Sequence, residues 1–167
     1  MNERAEALTR ALIRNFNDAT PEPLVRPPLY QSRGARLAPG TAAKKLGASI
    51  DTIEPGMRGC PYHLHHAQEE MFVVLEGAGT LRVADEMLPL RTGDVVFIPA
   101  GPEYPHQIIN TSNAPLKLLS VSTQEQPEIC EYPDSGKYLA EMKVDGARAF
   151  DVIHRAGQNL DYWEGEP

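Results

Sequence analysis

The chain has 167 residues, 41% of them hydrophobic, which is one domain's worth and enough to bury a substantial core. Its 16 basic residues stand against 23 acidic ones for a net charge of -7, and they are not clustered, which argues against a phosphate-backbone partner: no nucleic-acid role is expected. Two cysteines, Cys60 and Cys130, are too few for a disulfide scaffold or a thiolate zinc site, no apolar run approaches membrane-spanning length, and the start is charged where a signal peptide would be apolar. No membrane partner and a reducing, cytoplasmic location are the expectations.

Leu8, Leu12, Ile13 and Phe16 recur at helical spacing over residues 3–16, with Ala5 and Ala11 beside them, which predicts one short amphipathic helix. Its plain role is to pack on its own domain; its functional role would be to cover an open barrel end or reach a second subunit. Prolines at 21, 23, 27 and 28 make residues 20–28 an extended linker. Residues 46–53 alternate weakly as a strand and stop at Glu54-Pro55-Gly56, a turn that leads into a histidine-rich segment.

Residues 80–83 read as a strand with Leu81 and Val83 on one face and Arg82 on the other, outward and solvated. Further strands follow at 87–90 and 94–98 about the turn 91–94, and residues 106–110 and 116–123 read as a hairpin through 111–115. Short strands with Gly and Pro turns indicate an all-β barrel or jelly roll. Beyond it, residues 131–136 form a turn, and 137–144 and 149–154 are candidate strands. His154 lies far from the other histidines and reads as an ordinary side chain on a terminal strand. Tyr162 and Trp163 read as an aromatic anchor, tacking the tail onto the domain or onto a neighbouring subunit.

The chemistry gathers in two segments. His63 and His65 are two apart, so on a strand both imidazoles leave one face, as two ligands of one ion must. A carboxylate follows at Glu69 or Glu70, and the apolar run 71–75 has no alternation to say which of them points inward. His106 lies in the second segment. Each residue alone is more simply a hydrogen-bonded histidine or a solvated glutamate; together they are a mixed imidazole and carboxylate set suited to Mn, Fe, Co, Ni or Zn. Four protein ligands around an ion that prefers six leave two positions for water or substrate, which is a reactive site and not a closed structural one.

The spacing resembles the two motifs of the cupin superfamily. In the first, His63-Leu64-His65, four residues, Glu70, six residues and Gly77 match, with a shortened spacer after Gly59; in the second, Gly93, Pro99, Gly101, His106 and Asn110 match, with residues 102–105 lengthening the stretch before His106. The resemblance implies a double-stranded β-helix barrel over residues 44–123, preceded by a helix and proline-rich arm at 1–43 and followed by an extension at 124–167. It implies one divalent metal on His63, His65, Glu70 and His106, the Gly77 spacing favouring Glu70 over Glu69. Related cupins commonly dimerise through sheet edges, so with the helix, the arm and the aromatic tail a homodimer is expected. The stretch 132–137 and the Tyr-Trp-Glu-Gly ending are similar to a group of small bacterial cupins, some named by similarity to sugar-phosphate isomerases.

Fold does not decide function among cupins, so the site must. An open divalent ion suits isomerisation of a sugar or sugar phosphate, with Glu69, His66 and Tyr104 as the nearby proton carriers by sequence; loop and packing roles are the plain alternatives for all three. Iron with an oxygen-binding position would suit dioxygenation, and a small-ligand-binding module without turnover is the third class. No P-loop appears and Arg58, Arg82 and Lys117 are scattered, so a phosphate cradle is not evident.

Overall fold

The amino-terminal helix is shorter than its apolar spacing predicts. In the computed structural model, which describes residues 2–144, 147–155, 157 and 159–167, α1 spans Glu3–Leu12. Asn2 starts it by accepting the Ala5 N–H at 2.8 Å, and the extended backbone of Ile13 ends it. None of its residues is buried, and Leu12 is 65% exposed. A 3-10 turn at Phe16–Asp18 follows, and the Phe16 ring packs under the Lys117 ammonium at 5.2 Å.

The proline-rich stretch is not a free linker: Glu22–Arg26 is strand β1, paired antiparallel with β2, Tyr30–Arg36. Proline cannot donate to a ladder but adopts extended backbone readily, and β1 is the outermost strand of its sheet, where Pro23 is tolerated. Then come β3 (Leu46–Ile53), β4 (Leu64–His65), β5 (Glu70–Glu76), β6 (Ala78–Val83), β7 (Glu86–Arg91), β8 (Val95–Ile98), β9 (His106–Ile109) and β10 (Leu116–Thr123). The last three are β11 (Glu128–Tyr132), β12 (Lys137–Val144) and β13 (Ala147–Arg155).

These strands form a jelly-roll arrangement of a six-stranded sheet, β1-β2-β3-β10-β5-β8, facing a three-stranded sheet, β7-β6-β9, and a four-stranded sheet, β13-β12-β11-β4. The core lies between the first two. Ile53, Val74, Leu116 and Leu118 of the large sheet meet Leu81, Leu90 and Ile108, and each is at most 7% exposed. Each such side chain contributes about 1.5–3 kcal/mol by leaving water. No helix among the described residues is long and apolar enough to cross a membrane.

Three further expectations change. β9 and β10 do not form a hairpin: β9 pairs with β6, and β10 lies between β3 and β5 in the opposite sheet. Asn110 explains the departure, because its amide donates to the carbonyls of Ile53 and Ala114, both at 2.8 Å, and its Oδ1 accepts from Ser112, turning the chain across the barrel. Arg82 is not simply solvated. It forms a two-bond pair with Asp134, at 2.7 and 2.8 Å, and stacks on the Tyr62 ring at 3.7 Å, pinning the β11–β12 turn to the barrel. Tyr162 and Trp163 do not anchor the tail to this domain: they are 83% and 71% exposed and touch each other edge to face.

Candidate metal centre

The two motif segments meet through one pair of backbone hydrogen bonds. His63 N–H donates to the His106 carbonyl at 3.0 Å and His106 N–H to the His63 carbonyl at 2.7 Å, an antiparallel bridge that joins the small sheets. Residues directly opposite across such a bridge share a face, and His65, two further along, shares it too. The three rings therefore cluster, His63 lying 4.9 Å from His65 and 4.5 Å from His106 between centroids. β11 holds β4 in place from the other side, with Cys130 opposite His65. The Gly101 N–H donates to the His65 carbonyl at 2.8 Å, so the loop that carries residues 102–105 is tied to the same strand.

Glu70 reaches the histidines from the facing sheet as the first residue of β5. Its Oε2 is 2.8 Å from His106 Nε2, 3.5 Å from His65 Nε2 and 3.6 Å from His63 Nε2. The opposite nitrogens of two rings are committed elsewhere: His63 Nδ1 donates to the Pro61 carbonyl at 2.9 Å and His106 Nδ1 to the Tyr104 carbonyl at 3.2 Å. A carbonyl can only accept, so these contacts keep Nδ1 protonated and aim Nε2 at Glu70. The donor atoms of His63, Glu70 and His106 lie within 4.8 Å of one another and can hold a metal ion. Neutral imidazoles and a carboxylate suit a borderline divalent transition metal.

Charge is concentrated here. Burial by itself would lower the His63 pKa, but its contacts with Cys60 and Glu70 outweigh burial and push it up to about 11. Burial likewise disfavours the Glu70 carboxylate, yet His106 and His63 hold its pKa well below the usual carboxylate range. The pair is thus poised to bind either a proton or a cation.

Glu128, in no motif, completes the surroundings. It is 2% exposed, accepts the N–H groups of His66 and Ala67 at 3.0 and 3.3 Å, and brings Oε1 to 3.5 Å from His65 Nδ1. His65 Nδ1 makes no hydrogen bond, so Glu128 acts on the ring through charge, a buried carboxylate at this distance favouring positive charge on an ion that His65 would hold. The only signal for it in the sequence is the alternation Glu128, Cys130 and Tyr132 on one face of a strand.

The three proton-carrier candidates fall outside the cluster. His66 is directed away, its Nε2 bonded to Glu131 at 2.7 Å on β11. Tyr104 is 46% exposed and touches the site through its carbonyl. Glu69 precedes Glu70 and leaves the opposite face, its backbone paired with Thr123. Glu69 and Glu70 nevertheless line one cavity of about 260 Å³ at the strand ends, together with Ile98, Pro99 and Ser122.

The family model of the cupin domain matches residues 49–122. A curated protein of Methanocaldococcus jannaschii, itself uncharacterised, is 38% identical over 73 residues, which are 41% of this chain and 57% of that protein, so the chain spans little over half its length. Among solved structures, one from Acidithiobacillus ferrooxidans, provisionally named a sugar phosphate isomerase, superposes with a TM-score of 0.77 at 25% identity over 92% of this chain and 97% of its own. Another, from Silicibacter pomeroyi, named a sugar phosphate isomerase from a cupin superfamily, has a TM-score of 0.74 at 24% identity over 89% and 96%. The family match begins within β3 and ends within β10, so it takes in the three clustered histidines and Glu70, and the cupin fold is what the chain shares with these proteins.

Proposed function

We propose that His63, His65, Glu70 and His106 hold one divalent transition metal ion and that the protein is an isomerase of small polyhydroxylated carbonyl compounds. The observation that carries this is the convergence of three Nε2 atoms on one oxygen of Glu70 within 3.6 Å. When bound, the ion supplies Lewis-acid polarisation of a substrate oxygen and positions open to exchange. The remaining work falls to the chain. Glu69 leaves the face opposite to Glu70, but it is exposed, lines the cavity at the strand ends that also touches Glu70, and has no side-chain partner among the described residues, which supports it as the candidate proton carrier at the rim of the site. The name of the Acidithiobacillus protein, aligned along nearly the whole chain, agrees with this reading.

The test is deuterium uptake at substrate carbon. Manganese-loaded protein incubated with aldoses, ketoses and their phosphates in heavy water should introduce carbon-bound deuterium, and Glu69→Gln should slow it about 100-fold, the usual weight of a general base. Oxygen consumption with some substrate and no deuterium uptake would replace the isomerase with a dioxygenase. Silence in both assays would leave a binding module.

A homodimer belongs to the same proposal. Phe97, on the outer face of β8, is 72% exposed, and Phe150 and Ile153 of β13 are 53% and 62% exposed, surface that pairing with a second copy would cover. Light scattering at micromolar concentration should give twice the 18.4 kDa chain mass. A monomer there refutes it.

A further inference from the structure

We infer that the inner wall beside Glu70 is a hydroxyl-binding subsite centred on Asp51, and that it seats the polyol portion of a sugar and not a phosphate group. The proposal rests on the isomerase reading only for what happens to the bound sugar. The inner face of the large sheet changes character halfway along its strands. At one end Ile53, Val74, Leu116 and Leu118 are sealed, at 3% exposure or less. Where that sealed half ends Asp51 stands opposite Leu118, and from there towards Glu70 the same faces of β3 and β10 carry Ser49, Ser120 and Ser122, all four polar residues partly accessible. Ser122 stands opposite Glu70 in the register, and Ser120 opposite Phe72. A jelly roll has no need of four polar residues on its inward face, so their accessibility marks a wet, chemically selective wall.

The hydrogen bonding of that wall is directional. Asp51 Oδ2 accepts the hydroxyls of Ser49 at 2.6 Å and Ser120 at 2.9 Å, which spends the one hydrogen of each serine and leaves their oxygens as acceptors. Asp51 Oδ1 has no partner among the described residues. It lies against the bare backbone of Gly34, where a Cβ would collide with it, so a glycine on β2 makes the room. Ser122 has the opposite polarity: its oxygen accepts from the Gln124 amide at 2.9 Å, which frees its own hydrogen to donate. The wall thus presents several acceptors and one donor. Vicinal hydroxyls, which both give and take hydrogen bonds, satisfy it. A phosphate dianion, which has no hydrogens to give, meets the carboxylates of Asp51 and Glu70 instead. Of the cations that the register brings to this face, Arg36 opposite Ser49 is exposed at the end of β2, and Arg26, opposite Tyr30, is exposed on the edge strand β1.

Saturation-transfer NMR on the zinc-loaded protein tests this, with D-mannose, D-fructose and their 6-phosphates as probes. Wild type should bind the free sugars, with the phosphates no tighter. Asp51→Ala and Ser120→Ala should each weaken sugar binding at least about tenfold while zinc content and melting temperature hold, and Asp51→Asn, which keeps one acceptor, should fall between, since lost hydroxyl contacts leave buried polar groups unpaired. Unchanged sugar affinity in both alanine variants, a tenfold preference for the phosphates, or no sugar binding by wild type would each overturn the subsite. The isomerase reading fails differently: sugars would bind through Asp51 yet take up no deuterium.

Discussion

Replacing His106 with alanine is expected to lower divalent-metal affinity at least about 100-fold, with a larger loss than from any replacement outside the four proposed ligands. His106 is 1% exposed, its Nε2 is the nitrogen nearest Glu70, and its Nδ1 is fixed by the Tyr104 carbonyl, so no other side chain can move into its place. Glu128→Gln should cost about 10–100-fold, because it weakens the carboxylate behind His65 without removing a ligand. Affinity should also depend on pH in a definite direction. With its pKa pushed up to about 11, His63 carries a proton at neutrality in the metal-free protein, and an ion must displace it. Affinity should therefore rise by about tenfold per pH unit between pH 6 and 9, one proton being released per ion. Zinc titration against a chromophoric chelator at several pH values measures both effects. Full metal content in His106→Ala, or a flat pH dependence, would remove the four-ligand assignment.

Gly77→Val should destabilise the protein by about 3–5 kcal/mol, comparable to emptying the core at Leu116. Two separate costs meet at this glycine. Its φ of +86° lies in the left-handed region, where a side chain costs about 1–2 kcal/mol. A Cβ there would stand 2.5 Å from the Pro115 carbonyl oxygen and 3.3 Å from the Leu116 Cα, backbone that cannot swing aside because Leu116 is 0% exposed. Gly93 supplies the control. Its φ is +95°, but nothing lies within 4 Å of an added Cβ, so Gly93→Ala should cost only the conformational strain, about 1–2 kcal/mol. Urea unfolding of the three proteins decides the matter. Equal losses at the two glycines would show that the close approach of β10 to Gly77 contributes nothing.

The residues themselves determined much of this protein. Strand alternation and Gly and Pro turns located most of the strands, because the alternation that buries one face is written locally, and the fixed spacing of His63, His65 and Glu70 is local as well. The proline arm shows the limit: its prolines announce extended backbone, but whether that backbone stays free or joins a sheet depends on whether another strand lies beside it, as β2 does. For the same reason periodicity could not say that β9 and β10 part into different sheets. It could not choose between Glu69 and Glu70 in a uniformly apolar strand, where side-chain parity shows only once the strand is set against the core. Glu128, Asp51 and Gly34 were equally out of reach, since hydrogen bonds such as Ser120 to Asp51 join residues far apart in the chain. Local spacing decides which side chains share a face, whereas only tertiary packing decides which faces meet, and a site built across two facing sheets needs both.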